Sequence, residues 1–237
     1  MNIDKKFEKI SEKISLSNSI FLPNLTSKLS IIAALKNIGT RKDILDLGCG
    51  SGIIGIFILN EFKNINLSCS DIHRIAVLKA KKNFNKFKIE PEIKYGNLFI
   101  PWGNKKFDYI VNDVSGISEK IAKISPWFKN NIPCKTGNDG TKLTIEVIKK
   151  AGKHLKKNGC LQIPILSLSN SKKIIKFAKN KFKQVRVVIK KDWFLPDKMY
   201  KFKKILYGLK KSKHIEFEEK FGKIICSTSI IVCKQVK

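Results

Sequence analysis

The chain has 237 residues, 43% of them hydrophobic, and a formal net charge of +29. That length suits one sizeable α/β core with additions and is short for two full domains. Its longest apolar run, Ile53–Leu59 around Gly55, falls far below the roughly 20 residues that a membrane span needs, which argues against a transmembrane segment.

At the N-terminus, Ile3, Phe7, Ile10 and Ile14 recur at spacings of four, three and four with lysines and glutamates between them. This spacing predicts a short amphipathic helix docked on the core, with partner binding or covering of an active site as the sharper alternative. The stretch has no apolar signal core, and its acids Asp4, Glu8 and Glu12 argue against an organellar transit peptide, so a cytoplasmic address is expected. After the serine-rich Ser15–Ser19 comes Phe21-Leu22-Pro23-Asn24-Leu25-Thr26. A helix carrying Leu29, Ile32, Ala33 and Leu35 follows.

The chain is organised around Asp43–Gly55, which reads DILDLGCGSGIIG. Ile44 and Leu45 run into Asp46, glycines follow at 48, 50 and 52, and an apolar run begins. This predicts a strand, a tight turn and a helix. Glycine suits such a turn because its backbone angles exclude a Cβ and because a ligand must approach the main chain closely. The next helix N-terminus is expected to aim its free N–H groups at that ligand. The helix should run to about Phe62, and Ile65–Ser70 reads as a second strand ending at Asp71. This acid lies 19 residues past Gly52, near the distance at which a carboxylate reaches ribose hydroxyls in dinucleotide folds. Capping the next helix is its alternative role. That helix places Ala76, Ala80, Phe84 and Phe87 on one face.

A third strand, about Glu92–Tyr95, leads to Gly96-Asn97-Leu98-Phe99, and Phe107–Asn112 has the apolar character of a buried parallel strand. It ends at Asp113-Val114-Ser115-Gly116. Asp46, Asp71, Asn97 and Asp113 all fall at carboxyl ends of strands, where open α/β sheets bind ligands. Leu143, Val147, Ile148, Ala151 and Leu155 mark a helix stopped by Asn158-Gly159 before a strand over Cys160–Leu166. Lys172–Lys181 reads as a helix, Gln184–Ile189 as a strand, Lys190–Gly222 as less regular, and Lys223–Cys233 as the closing strand. The six cysteines form no C-x-x-C pair and read as reduced structural thiols, with no zinc site supported.

The basic charge has two readings. It invites nucleic acid, yet only Arg41, Arg74 and Arg186 among the 48 basic residues are arginine, the residue preferred for bidentate recognition. Compositional drift of an Ile-, Asn- and Lys-rich chain is the alternative. Tyr200–Tyr207 with Lys210, Lys211 and Lys213 interleaves cations with aromatics as nucleic-acid surfaces do. The spacing of Phe202, Leu206 and Leu209 there suggests a helix packing its apolar side inward.

With these pieces in order, the chain resembles the class I S-adenosylmethionine-dependent methyltransferases from about Phe21 onward. The likeness rests on DLGCGSG at Asp46–Gly52, Asp71, and FDYIVND at Phe107–Asp113. The pattern G-x-G-x-x-G at Gly50, Gly52 and Gly55 keeps a nicotinamide dinucleotide as a weaker alternative. Within the class, Gly96–Phe99 is similar to the G-D-L-F, and Gly137–Gly140 to the G-x-D-G, of the release-factor glutamine N5-methyltransferase and small-domain group. The resemblance implies an α/β fold: a single Rossmann-like, doubly wound, mostly parallel seven-stranded sheet with an antiparallel last strand. Residues 1–20 would form a short N-terminal helical extension and 21–237 the domain.

The resemblance also implies S-adenosylmethionine held by Asp46, Gly48, Gly50, Gly52, Asp71, Ile72, Asn97 and Leu98, with no metal and no membrane. Its N-P-P-Y motif, where an Asn and a proline carbonyl hold a target amide under an aromatic ring, aligns with Asp113, Val114, Ser115 and Gly116. A register one residue earlier would start at Asn112. Asp113 keeps an acceptor and is the candidate catalytic group, or else a cofactor contact or cap. Thr26, Val114 and Ser115 would face the acceptor, while the stacking ring and the proline rigidity are missing. Trp127 and Phe128, in Ile117–Cys134, would replace the ring or else form a hydrophobic plug. Only about 20 residues stand where the glutamine enzymes carry a helical recognition domain. A protein substrate is the leading expectation. RNA is the second, and a cofactor-binding protein without catalysis the third.

Overall fold

The computed structural model describes residues 3–17, 19–128 and 132–237. Helices α1 (Ile3–Lys13) and α2 (Leu25–Asn37) precede strand β1 (Asp43–Leu47). Then come α3 (Ile53–Glu61), β2 (Asn66–Asp71), α4 (Arg74–Lys86), β3 (Glu92–Tyr95) and β4 (Phe107–Asn112). The rest comprises α5 (Glu119–Ile124), α6 (Lys142–His154), β5 (Leu155–Leu166), α7 (Ser171–Lys181), β6 (Phe182–Phe194), α8 (Lys203–Lys211), β7 (Glu218–Lys220) and β8 (Lys223–Val236). The sheet runs β3-β2-β1-β4-β5-β8-β6, with the short β7 hairpinned onto β8. Its first five strands are parallel, and β8 lies antiparallel to both β5 and β6. The expected seven-stranded path with an antiparallel closing strand is therefore present, extended by β7.

The strands that pair in parallel are apolar on both faces because helices cover both. Ile44, Tyr109 and Val111 pack with α3 and Phe84, whereas Leu45, Leu47 and Ile110 pack with Val147, Ile148 and Ala151 of α6. Parallel pairing in register brings Leu47 beside Ser70 and Asn112, so the ends of β1, β2 and β4 stop at one level. Ligands of open α/β sheets bind at that edge.

Helix α1 docks as its spacing predicts: Ile10 and Ile14 are buried, and Phe7 meets Phe57 with ring centroids 6.1 Å apart. The buried Asn83 of α4 then fastens the following segment. Its Oδ1 accepts from Ser15 N (2.6 Å) and its Nδ2 donates to Ser51 O (2.9 Å) in the glycine turn. Residues 1–2, 18 and 129–131, which fall in the predicted N-terminal helix, the serine-rich stretch and Ile117–Cys134, lie outside the described residues.

Three boundaries differ from the sequence expectation. Helix α6 ends at His154, and Leu155 already pairs with Phe107 in β5. Asn158-Gly159 is thus a bulge inside the strand, because the register shifts before Tyr109 meets Cys160 and a Cβ on Gly159 would stand 2.9 Å from the Phe107 carbonyl. Strand β6 runs on to Phe194, since β8 continues to pair with it. Within the irregular Lys190–Gly222 segment, a 3-10 turn (Asp197–Phe202) leads into α8, whose Leu206 and Leu209 are buried as the spacing suggests. They pack with Leu195, Met199, Ile215 and Phe217 against Ile117 and Ile121, beside Trp127, Phe128 and Trp193. Among the described residues no helix is long and apolar enough to cross a membrane.

Candidate active site

A cavity of about 800 Å³ opens at the carboxyl edge of β1, β2 and β4, inside the range of small-molecule sites. One half is lined by Gly48, Gly50, Asp71, Ile72, Asn97 and Leu98. The other half carries Thr26, Asp113, Val114 and Ser115. Every one of these residues was singled out in the sequence, and they share one cavity. The two halves touch directly, for a Cβ on Gly48 would lie 3.0 Å from Val114 N and 3.1 Å from the Asp113 carbonyl carbon. Gly48 adopts φ +81°, a conformation open to glycine. At Gly50 (φ +54°) a Cβ would meet nothing within 4 Å, so the turn leaves clear space for a ligand to approach the backbone.

The turn's amides are already spent. Gly48 N and Cys49 N donate to the Ser70 carbonyl (2.8 and 3.0 Å), and Gly50 N donates to Asp71 Oδ2 (2.9 Å). The glycines at 48 and 50 therefore offer a ligand room to approach and not free amides. Asp71 Oδ1 accepts from His73 N (2.8 Å). His73 is the N-cap of α4 and receives no side-chain cap bond, so Asp71 ties the turn and the β2 end together instead of capping the helix. Each of its oxygens keeps a lone pair for a hydroxyl.

Gly52 and Asp46 stand outside the cavity lining. Gly52 lets α3 start against Phe84, whose ring would lie 2.8 Å from an added Cβ. Asp46 is fully buried, and among the described residues the Gly55 amide is the one group directed at its carboxyl. Burial pushes its carboxyl up to about 7, with the Gly55 amide pulling down and Asp71 pushing up. Asp71 is raised by burial against the pull of the His73 and Gly50 amides. Asp113 is raised well above the usual carboxylate range by burial first, then by Asp46 and Asp71. Among the described residues the Asp113 carboxylate has no partner. Asp71 and Asp113 at the cavity edge, with Asp46 buried behind them, favour a cationic ligand.

Asp46 makes a stability prediction. Its folded pKa of about 7 lies above the unfolded carboxylate value, so the ligand-free protein binds more protons folded than unfolded between those values. Stability is full below about pH 4 from this group and is lost as pH rises toward 7. Thermal melts from about pH 4.5 to about pH 7.5 should fall with pH for the native chain and fall less steeply for Asp46→Asn, with Asp71 and Asp113 keeping part of the slope.

Sequence reasoning missed part of the wall. Trp193, near the end of β6, lines the cavity and donates from Nε1 to Thr228 Oγ1 of β8 (3.0 Å). Trp127 meets it edge-on with centroids 5.8 Å apart, and Phe128 sits 5.1 Å from Phe21. Trp127 and Phe128 thus line the cavity and also pack on the cluster of Ile117 and Leu206, as both readings of them require. The late lysine-rich strand offered no signal that its tryptophan would reach the same place. Asn112 is buried outside the cavity with both side-chain polar atoms unpartnered, which sets aside the earlier register. The Gly137–Gly140 motif is a brace: Glu119 Oε1 accepts from Gly137 N (2.8 Å), and Asp139 pairs with Lys173 (2.7 Å).

Residues 24–113, from the N-cap of α2 to Asp113, match the family described as methyltransferase small domain. That segment is similar to a methyltransferase small domain. A ribosomal protein uL3 glutamine methyltransferase of Francisella tularensis is 28% identical over 136 residues, covering 55% of this chain and 43% of that protein. A ribosomal RNA small subunit methyltransferase C of Pasteurella multocida is 32% identical over 73 residues, covering 31% and 22%. The chain therefore spans less than half the length of these relatives. A solved ribosomal protein L11 methylase of Lactobacillus delbrueckii subsp. bulgaricus superposes with a TM-score of 0.57 at 15% identity, over 91% of this chain and 81% of that one. The matched segment thus sits in a Rossmann-like α/β fold shared with that methylase.

Proposed function

We propose that this methyltransferase-domain chain is an S-adenosylmethionine-dependent enzyme of the cytoplasm that methylates a nitrogen of a protein substrate, of the glutamine side-chain type. The observation that carries the reading is the unpartnered Asp113 carboxyl in the same cavity as Gly50 and Asp71. The residues present fit the donor: open space over Gly50, two lone pairs on Asp71 for ribose hydroxyls, apolar Ile72 and Leu98 beside Asn97, and a carboxyl cluster suited to a cation. When bound, S-adenosylmethionine supplies an activated methyl on a sulfonium, so positioning is the protein's main task. Asp113 accepts a hydrogen bond from the target N–H, which orients the nitrogen lone pair, and takes up the proton released on transfer. The Val114 carbonyl offers a second acceptor. Trp127, Phe128, Trp193 and Phe21 stand where a ring would cover a flat amide.

Incubating the purified chain with methyl-labelled donor and either ribosomal proteins and release factors or ribosomal RNA tests the proposal. Label on a protein nitrogen supports it. Label on RNA alone would replace it with the second reading, an RNA base methyltransferase, which the relative acting on ribosomal RNA and the basic charge favour. Donor binding without any transfer would leave a cofactor-binding protein. Trp193→Ala is expected to raise the KM for the acceptor about tenfold, the worth of an aromatic contact of ~1.5 kcal/mol, with donor Kd unchanged in calorimetry.

A further inference from the structure

We propose that the outward face of α8 and the 3-10 turn before it is a docking surface for single-stranded RNA beside the active site. Residues 201–213 contain six lysines and no acid: Lys201, Lys203, Lys204, Lys210, Lys211 and Lys213, all exposed. Most acids close by in sequence are engaged elsewhere: Asp197 pairs with Lys223 (3.4 Å), Glu216 with Lys172 (2.8 Å) and Glu218 with Lys220 (3.0 Å). Glu219 is the one brought to α8, where it accepts from the Tyr207 hydroxyl. Among the described residues none of the six lysines has an ion-pair partner. The face therefore keeps a large positive excess.

Aromatic rings underlie this face. Lys210 sits 4.3 Å from the Phe217 centroid, Lys201 5.1 Å from Phe202 and Lys203 5.8 Å from Tyr200, and Tyr207 is exposed. Phe217 is buried and Tyr200 and Phe202 half-buried, so Tyr207 is the ring open to a base, and lysines for phosphates around an exposed ring are the chemistry of single-strand recognition. An anionic membrane fits less well, because the apolar side of α8 is already used: Leu206 and Leu209 are buried, and Ile205 and Tyr207 alone are too little apolar surface to insert. RNA is the polyanion whose loops present unpaired bases to such a surface.

The same helix rests on Leu195 and Met199, in the cluster that includes Trp127 and Trp193 of the cavity wall. A strand held on α8 is thus held next to the acceptor end. This inference goes beyond the proposed reaction and does not depend on it, since binding is read without donor or transfer.

The test uses fluorescence anisotropy with a labelled oligouridine of about 20 nucleotides, longer than a typical single-strand site, titrated at several salt concentrations. The quadruple variant Lys203→Gln, Lys204→Gln, Lys210→Gln, Lys211→Gln is compared with a control that removes the same charge from α4 and α7 (Lys81, Lys82, Lys176 and Lys179 to Gln). We expect Kd to rise at least about tenfold for the α8 variant, with a salt slope shallower by up to roughly 3, as 0.7 per lost phosphate contact implies. The control should change both far less. Equal weakening by the control, or an unchanged Kd in the folded α8 variant, overturns the surface. Equal affinity for an oligothymidine of the same length overturns the assignment to RNA.

Discussion

Asp113→Asn is expected to lower kcat by about 10²- to 10⁴-fold, the range of a lost general base, while donor Kd in calorimetry changes little. Asparagine keeps the shape and one acceptor oxygen but cannot take up the proton. The native carboxyl is held high by burial and by Asp46 and Asp71, so in the free enzyme the working carboxylate form appears only above the usual carboxylate range. The rate should consequently rise with pH along one limb, which Asp113→Asn abolishes. A cationic ligand beside the three carboxyls lowers their pKa values, so the limb in kcat should lie at lower pH than the limb in kcat/KM. Full activity in a correctly folded Asp113→Asn protein would remove Asp113 from catalysis.

Asp71→Ala should weaken donor binding roughly 10- to 150-fold, the equivalent of a lost charged hydrogen-bond pair of about 1.5–3 kcal/mol. Structural consequences come with it. Asp71 also holds Gly50 N and His73 N, so alanine frees two amides and loosens the turn. Asp71→Asn separates the two roles, because its single oxygen can still accept from one amide. A donor Kd intermediate between native and alanine forms, with a melting temperature near native, is the expected result. An unchanged Kd in a folded Asp71→Ala protein would refute the ribose assignment.

The site was legible where local chemistry is dictated by neighbours in sequence. Glycines at 48 and 50 announce backbone angles that few other residues adopt, and an acid at a strand end announces a position at the sheet edge. Asp71, Asn97 and Asp113 were placed at that edge by periodicity, and parallel pairing set β3 beside β2 and β4 across β1 from them, so that the strands end at one edge. Gly52 and Asp46 carry the same sequence signal yet lie behind the cavity. Strand alternation and the packing of Phe84 decide that, and neither is visible in the motif. Boundaries such as Leu155 failed because an apolar residue at a helix–strand junction satisfies both periods, and only the pairing with Phe107 assigns it.

The family resemblance implied that Asp113-Val114-Ser115-Gly116 stands where an acceptor clamp would; the sequence by itself determined the local elements and their chemistry, a glycine turn after β1 and carboxylates at strand ends. These follow from residue type and spacing along the chain. Only the tertiary structure decided that Trp193 joins Trp127 and Phe128 over that clamp. It also directed the turn's amides to Ser70 and Asp71 and brought α8 against the cavity wall. Each of these contacts joins residues distant in sequence, and β8 is the strand that inserts between β5 and β6 to bring the late segment there. Long-range packing of that kind depends on which surfaces remain to be buried once the elements meet, and no local pattern encodes it.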